Sequence, residues 1–383
     1  MYSPMRRRLR VVCAMSGGVD SSIAALLLKK QNYEVVGLHM HNWDRNDEAG
    51  EDTCPHERDL EDASAVCRQL GIELHTVNFV REYWTQVFEP ALATYAAGAT
   101  PNPDVMCNRH IKFSAFRRHC FEVLGADAMA TGHYCRLKQA GGAGVSDQVN
   151  LLKGLDPSKD QSYFLASVSH EQLRDVIFPV GGMLKQDVRE LAQEAGLVTA
   201  MKGDSTGLCF VGKRKSFSNF LQQYVVPSPG EFIDVDTGAV VGQHDGYELY
   251  TIGQGARIGG QPCRWFVAGK SLADKAIYIV PHADHPALQH EYLTVNRGSF
   301  NWVSGHEPID MLTAEGRQVK LTCQTRYRSK VNGCVVHPEG DKLRVVFDTP
   351  EPAVAPAQVA VLYDGDVVLG GGAISNTKQW PWP

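Results

Sequence analysis

Ser16-Gly17-Gly18-Val19-Asp20-Ser21-Ser22 is preceded by the apolar run Val11-Val12-Cys13-Ala14-Met15 and followed by Ile23-Ala24-Ala25-Leu26-Leu27-Leu28. The first run reads as a strand, the last, poor in β-branched residues, as a helix, and the seven residues between them as the turn that joins them. Gly17 and Gly18 permit backbone angles closed to other residues. The N–H groups of a helix start lack partners within the helix. With the hydroxyls of Ser16, Ser21 and Ser22 beside them they make a site for an anion such as phosphate. Glycines alone are equally met by an ordinary strand-to-helix turn with a Ser or Asp cap; the full string, with its hydroxyls and its acid, is more specific. It lacks the lysine of a Walker A loop and is not GxGxxG, which counts against mononucleotide kinases and dinucleotide dehydrogenases.

Outward from this turn, strand-like and helix-like runs alternate from residue 9 to about residue 196. Glu34-Val35-Val36-Gly37-Leu38 and Glu73-Leu74-His75-Thr76-Val77 read as strands, 58–70, 83–97 and 113–124 as helices, and Ala128-Met129-Ala130-Thr131 as a further strand before Gly132-His133-Tyr134. Such alternation predicts a parallel sheet wrapped by helices, with ligands beyond the carboxyl ends of the strands. Ser16, Met40 and Gly132 all fall at such ends. Gly141-Gly142-Ala143-Gly144 reads as a hairpin tip or mobile loop, and 171–176 and 185–194 as helices. Past about residue 216, short β-like runs punctuated by Asp236-Thr237-Gly238, Asp245-Gly246, Gly259-Gly260 and Asp364-Gly365 replace the helical patterns, the grammar of small β domains. The segment 281–286 is a linker between two of them. The expected division is therefore 1–215, 216–282 and 283–383.

A chain of 383 residues accommodates two or three domains, and 43% hydrophobic with 21% charged residues is ordinary for a soluble globular protein. No apolar run approaches the ~20 residues needed to span a bilayer. The net charge of −5 gives no overall basic signal, so any nucleic-acid contact must come from local patches. Ten cysteines are scattered without any CxxC spacing, which suits a reducing compartment and disfavours a disulfide scaffold or a zinc ribbon. The first ten residues hold Arg6, Arg7, Arg8 and Arg10 and no acid, the pattern of an organelle-targeting segment or of a solvated basic tail.

Three further stretches carry candidate chemistry. In Thr100-Pro101-Asn102-Pro103-Asp104-Val105-Met106-Cys107-Asn108, two prolines fix a connection between helices and a rigid loop aims Asn102, Asp104 and Cys107 outward; a turn with a buried cysteine is the plainer reading. Arg109, His110 and Lys112 follow, and positive neighbours with a helix start favour a thiolate at Cys107. In Asp204-Ser205-Thr206-Gly207-Leu208-Cys209-Phe210-Val211-Gly212, Cys209 lies between glycines, with Lys213, Arg214 and Lys215 next. If Cys107 and Cys209 meet, one can carry a sulfur atom and the other release it by forming a disulfide. Lys159-Asp160-Gln161-Ser162 alone reads as a solvated loop. Arg326-Tyr327-Arg328-Ser329-Lys330 mixes an aromatic with cations, fit either to stack on a base and grip phosphate or to be the solvent face of a strand.

The SGGVDSS string resembles the signature of the N-type ATP pyrophosphatases, which cleave ATP between the α and β phosphates. The chain as a whole is similar to the tRNA-specific 2-thiouridylases. The matching pieces are SGGVDSS at 16–22, His39-Met40-His41-Asn42-Trp43-Asp44, TPNPDVMCNRHIKF at 100–113, ATGHY at 130–134, KDQSYFL at 159–165, STGLCFVGKR at 205–214, and Ala355-Pro356-Ala357-Gln358 followed by Tyr363-Asp364-Gly365. The HNWD and GKRKSF wording looks closest to the mitochondrial branch, which implies a mitochondrial location, or a cytoplasmic one in a bacterium. The resemblance implies an α/β fold: an N-terminal parallel-sheet ATP pyrophosphatase domain, a small central domain and a C-terminal β-barrel that contacts tRNA.

Carried over by motif, Ala14, Met15, Ser16, Gly17, Gly18, Val19, Asp20 and Ser21, with Met40 and Gly132, bind ATP. Asn102, Pro103 and Asp104 meet the target base. Asp104 handles protons, Cys209 holds the persulfide and Cys107 resolves it. His133, Lys159, Asp160, Gln161, Arg326, Tyr327 and Gln358 contact tRNA. The implied cofactors are ATP and Mg²⁺. The implied partners are the wobble-uridine tRNAs for lysine, glutamate and glutamine and a persulfide donor such as a cysteine desulfurase or a sulfur-relay protein, with the chain acting as a monomer away from membranes. Two departures stand out: the family's Gly-Gln-Arg is Gly253-Gln254-Gly255 here, with a cation only at Arg257, and its Pro-Gly-Gln is Pro356-Ala357-Gln358. The rival readings are an adenylating or amidating enzyme that uses the same ATP loop on a small molecule, and a non-catalytic tRNA-binding protein.

Overall fold

The apolar run before the glycines is β1 (Arg10–Ala14), with Val11, Val12 and Cys13 wholly buried. Both faces of the strand are covered, which is why it reads as a continuous apolar run and not as an alternation. The computed structural model describes residues 7–43, 55–139, 148–204, 217–308 and 320–377. They fall into two units: Met1–Val87 with Asp104–Lys213 and Asp366–Val368, and Phe88–Pro103 with Arg214–Gly365 and Leu369–Pro383.

In the first unit, α1 (Val19–Lys30) leads to β2 (Glu34–His41), and α2 (Pro55–Leu70) to β3 (Glu73–Asn78). Next come α3 (Val80–Tyr83) and a π-helical turn, Trp84–Phe88, which passes the chain to α4 (Glu89–Ala96) of the second unit. The chain returns at α5 (Pro103–Cys107), which runs into the π-helical segments Asn108–Phe116 and His119–Val123 before β4 (Ala128–Ala130). Then follow the antiparallel pair β5 (Cys135–Gln139) and β6 (Val149–Lys153), α6 (Ser162–Leu165), α7 (His170–Leu173), β7 (Val176–Ile177) and α8 (Lys185–Glu194).

The sheet has the order β3-β2-β1-β4-β7 and is parallel throughout. From β1 the chain winds first toward β3 and then, through β4, toward β7. The switch point therefore lies at the carboxyl ends of β1 and its two neighbours, where open α/β sheets hold ligands. On one face Val11, Cys13 and Met15 pack against Ala24, Ala25 and Leu28 of α1 and Ala63, Val66 and Cys67 of α2.

Three expectations change. The helix read at 171–176 is only α7, opened by a capping box between Ser169 and Gln172; extended Arg174 and left-handed Asp175 (φ 61°) end it, and Val176 enters the sheet. The stretch read as a rigid loop at 100–108 becomes a helix at Pro103, because proline at the first helical position is pre-organised and loses no hydrogen bond there. The hairpin tip at 141–144 lies outside the described residues. Of the basic start, the described Arg7 and Arg10 pair with acids of the fold: exposed Arg7 with Asp127 (3.1 Å) and Arg10 with Glu34 (3.0 Å).

In the second unit, Ala91 and Tyr95 of α4 pack with Leu221 and Val225 at and after α9 (Phe217–Leu221). A small sheet of β8 (Gly230–Asp234), β9 (Val240–His244), β10 (Phe266–Lys270) and β11 (Ile277–Val280) has the order β10-β11-β8-β9. The remaining strands are β12 (Gln289–Asn296), β13 (Asn301–Trp302), β14 (Lys320–Gln324), β15 (Asn332–Glu339), β16 (Lys342–Pro352), β17 (Val359–Asp364) and β18 (Val367–Thr377). β12, β16, β15, β14, β17 and β18 form a barrel, closed where β12 also pairs with β18. Its interior is the period-two set Leu293/Val295, Leu321/Cys323, Cys334/Val336, Leu343/Val345/Phe347 and Ala360/Leu362. Among the described residues no helix is long and apolar enough to cross a membrane.

Candidate functional site

The turn at 16–22 has the built form its composition calls for. Gly17 is buried at φ 76°, and a Cβ there would stand 2.2 Å from the Asp59 carbonyl oxygen, so no other residue fits. Gly18 is the N-cap of α1 and no side chain caps it, which leaves the first-turn N–H groups for a ligand. The hydroxyls brace the turn from within: Ser21 donates to the Gly18 carbonyl (3.0 Å) and Ser22 likewise (2.8 Å), while Thr199 donates to Ser22 (2.9 Å). Ser16, exposed, hydrogen-bonds Ser21 (3.1 Å). The rest of the expected ATP site gathers here. Leu38 accepts from the Met15 N–H at 2.9 Å, which sets the half-buried Met40 at the same level of the sheet. Gly132 backs the loop so closely that a Cβ would lie 2.8 Å from the Asp20 carbonyl carbon and the Ser21 nitrogen. His39, its pKa lowered by burial, hydrogen-bonds the Met15 carbonyl through Nδ1 (2.7 Å).

Asp20 is the centre of a charge network that the sequence reading did not see. Its Oδ1 accepts from Tyr134 Oη (2.7 Å) and from Lys185 Nζ (2.6 Å). Burial, and then the Asp20 charge, push the Tyr134 phenol far up, so it stays a donor. Lys185, almost fully buried, also reaches Asp204 (3.1 Å), which binds Lys159 (2.6 Å) and Arg189 (2.5 Å) as well. Lys202 Nζ donates to the Gly17 carbonyl (2.9 Å), to Asp59 (2.8 Å) and to Asp62. One local signal pointed to Lys185: a lysine opening an amphipathic helix opposes the helix dipole and needs a compensating anion. That anion is Asp20, 165 positions away in the chain.

The cysteine helix is joined to this loop through residues 131–134. The His133 ring packs against Phe113 (5.7 Å between centroids) and Phe178 (6.1 Å), and Nδ1 meets Thr131 Oγ1 at 2.7 Å. Burial, then Lys112, holds its pKa well down, so the imidazole is neutral. Asp104 and Cys107, three apart on α5, share a helix face. Asp104 is half-buried, and burial raises its pKa against the opposing pull of Lys112. Cys107 is buried, 2% exposed, one turn inside the helix and not at its start, so neither outward aim nor the helix terminus acts on it. Cys209 lies outside the described residues. The thiols of Cys13, Cys67, Cys120, Cys135, Cys323 and Cys334 are core filler, each raised first by burial, to about 11 at Cys67 and about 12 at Cys120 and Cys334.

The expected tRNA contacts divide. Lys159, Asp160 and Gln161 are not a solvated loop. Asp160 accepts from the Gly154 and Ser162 N–H groups (2.8 and 3.0 Å), and Gln161 Oε1 from the Tyr134 N–H (3.0 Å). In the second unit, Gln358 Nε2 donates to the carbonyls of Thr100 (2.8 Å) and Pro101 (3.2 Å), so this side chain holds the segment that carries Asn102 and Pro103. Arg326 and Tyr327 sit in the turn between β14 and β15, not on a strand face. That turn is braced by Thr325 on the buried Glu351 (2.8 Å) and by Ser329 on the Arg326 carbonyl (2.8 Å).

A parallel sheet with an uncapped Gly-Ser loop at its switch point, followed by a small β domain and a closed barrel, defines a multidomain protein of the ATP pyrophosphatase class. Comparison with known families agrees: a tRNA methyl transferase HUP domain matches residues 9–213, a tRNA methyl transferase PRC-barrel domain 218–281, and an aminomethyltransferase beta-barrel domain 293–374. The tRNA-specific 2-thiouridylase MnmA of Pseudomonas paraeruginosa is 47% identical over 386 residues, covering 99% of this chain and 97% of that protein. Its namesakes in Haemophilus influenzae and Halalkalibacterium halodurans are each 46% identical, covering 96% and 99% of this chain and 93% and 98% of theirs. The chain belongs to the tRNA-specific 2-thiouridylase family. These relatives are bacterial, which overturns the mitochondrial branch and location; Arg7 and Arg10, part of the basic start that carried that reading, serve as ion-pair partners of the sheet.

Proposed function

We propose that the chain thiolates C2 of the wobble uridine of tRNA at the expense of ATP. The observation that carries this reading is the uncapped loop at 16–21, in one unit with Asp104 and Cys107, with Gly132 packed on the loop and His133 on Phe113 of the segment that follows Cys107. A carbonyl oxygen is a poor leaving group, and adenylation corrects that. O2 of the uridine attacks the α-phosphate and pyrophosphate departs into the N–H groups of the loop and the exposed Ser16 hydroxyl. A persulfide on Cys209 adds its terminal sulfur to C2, and AMP leaves with the C2 oxygen. Cys107 thiolate then attacks the Cys209 sulfur; the new disulfide forms, and the electron pair of the broken S–S bond stays on the sulfur now bound to C2. A thiol reductant reopens the disulfide, and a persulfide donor such as a cysteine desulfurase reloads Cys209.

Residues of this chain set each stage. Lys185 and Tyr134 fix Asp20 through Oδ1, and Asp20 would be the residue of this loop to hold a Mg²⁺. When bound, the ion supplies charge neutralisation to the departing pyrophosphate. Asp104, with its raised pKa, is suited to moving the proton at the base. Extruding a base from an unpaired anticodon loop costs at most a few kcal/mol. The acceptors are the wobble-uridine tRNAs for lysine, glutamate and glutamine.

In single-turnover assays with unmodified tRNA, Cys209→Ser is expected to lose thiolation to background while tRNA still stimulates pyrophosphate release from ATP. Thiolation at the parent rate by Cys209→Ser sinks the persulfide role. Pyrophosphate release indifferent to tRNA favours a small-molecule adenylating enzyme instead, and none at all a tRNA-binding protein or the methyl transfer named in the domain descriptions.

A further inference from the structure

Two guanidinium groups frame the glycine turn at 253–255 of the second unit. A Cβ on Gly255 would stand 3.3 Å from Nε and from Nη2 of Arg264, and one on Gly253 would stand 3.6 Å from Nη1 of Arg326. The space a side chain at 255 would enter is thus already held by an arginine from nine positions further along. The turn is rigid: Gly253 donates to the Val267 carbonyl (2.7 Å), Ala256 to that of Trp265 (2.9 Å), and the Val267 N–H to that of Gln254 (2.9 Å).

Arg264 is exposed and lies over the Phe266 ring at 5.0 Å; among the described residues it has no hydrogen bond and no ion pair. Arg257, Arg328 and Lys330 are likewise exposed, with no carboxylate partner among the described residues. Two buried acids, Glu248 and Glu351, are taken elsewhere: Glu248 accepts the Ser228 N–H (3.0 Å), and Glu351 accepts from Thr325 and Asn332 (2.8 and 3.0 Å). Thr251, which opens the turn, hydrogen-bonds Thr100 (3.0 Å), and Gln358 binds the Thr100 and Pro101 carbonyls. The cations therefore border the segment that presents Asn102 and Pro103.

We propose that Arg264 is a phosphate-binding residue for the tRNA backbone, supplying the cation that Gly255 lacks, and that Arg264 and Arg326 grip the RNA from either side of the glycine turn. This rests on the thiouridylase reading above. RNA is favoured over an acidic protein for physical reasons. A guanidinium that lies over an aromatic ring and makes no other bond keeps its donors for phosphate, and glycines let a nucleic-acid backbone come close to the chain. In a protein of net charge −5, uncompensated cations beside the base-binding segment are also the local patch that RNA contact requires.

The test is equilibrium binding of an unmodified wobble-uridine tRNA by the full chain across a salt series. Arg264→Ala is expected to weaken binding severalfold at low salt and to flatten the slope of log K against log salt by about 0.7–0.9, one phosphate contact. Gly255→Arg placed on Arg264→Ala has room for its side chain and is expected to restore both affinity and slope. An Arg264→Ala variant with the parent slope overturns the assignment and leaves the patch to an acidic protein. Failure of Gly255→Arg to rescue overturns the substitution of one arginine for the other. If the parent chain itself shows no salt-dependent tRNA binding, the thiouridylase reading falls first and this inference with it.

Discussion

Ala357 is held at φ 66°, a left-handed conformation that costs an L residue about 1–2 kcal/mol. Its N–H still donates to the Ile374 carbonyl (2.9 Å), and the next residue, Gln358, reaches Thr100 and Pro101. The strain is therefore carried to aim Gln358. Ala357→Gly removes the Cβ clash and gives back about 0.5–1 kcal/mol through the greater freedom of the unfolded chain. We expect a net stabilisation of roughly 0.5–1 kcal/mol in urea titrations, and unchanged or lower stability if the φ is not in fact strained. The departure from Pro-Gly-Gln was legible in the sequence; its meaning was not, because a left-handed angle leaves no mark on the residue that adopts it. The same holds for Gln161 and Gln358. Their donors and acceptors are committed to Tyr134, Thr100 and Pro101, partners that no local pattern connects to them.

Among the elements, β1 to β4 and the loop at 16–22 were readable because each carries its own signal: an apolar run, two glycines, a helix without β-branched crowding. The cysteine-bearing stretch was misread because Pro103 punctuates a loop and opens a helix with equal ease, and because the π-helical segments after it have no sequence period of their own. The network around α8 was invisible for another reason: its partners come from 20, 134, 159, 185, 189 and 204. Burial pushes the Asp204 carboxyl up, but Lys159 and Lys185 outweigh it and hold the pKa far below the ordinary 3.8. A carboxylate depressed in the folded state contributes stability that is present above its ordinary pKa and is lost as pH falls below it toward the folded value. Asp204→Asn should therefore lower the urea midpoint at pH 7. The gap to the parent should narrow once pH drops below about 3.9. A gap that persists unchanged to pH 2.5 removes the ion pairs as its cause. Lys185 binds both Asp20 and Asp204, and Lys202 the Gly17 carbonyl, so residues 202–204 are tied to the loop at 16–22 by charge.

At the scale of the whole molecule, contacts divide the chain into two units whose boundaries cut across its linear order, while the family matches at 9–213, 218–281 and 293–374 follow that order. The chain leaves the first unit at residue 88, comes back at 104, and returns once more for Asp366–Val368. Each excursion leaves an obligation. Ala91 and Tyr95 of α4 are buried against Leu221 and Val225, and Phe88 lies against Phe220 (5.9 Å) and Tyr224 (5.0 Å), all from beyond residue 215. On the other side, Asp366 accepts from Arg136 (2.8 Å), and its carbonyl takes the Lys153 N–H (2.9 Å), so β5 and β6 are completed by a segment near the carboxyl terminus. A fragment ending at 215 would keep the sheet, the loop at 16–22 and Cys107. It would also expose an aromatic and alanine face on α4 and leave β6 without its last partner. Losing the burial of two large aromatics costs about 3–6 kcal/mol, comparable to the stability of a modest domain. The 1–215 fragment is therefore expected to bind a hydrophobic dye and to melt broadly or aggregate where the full chain melts cooperatively. Substituting Phe88→Ser and Tyr95→Ser in the fragment is expected to recover solubility. A soluble, cooperatively melting unmodified fragment would mean that α4 does not depend on the residues beyond 215 that pack against it.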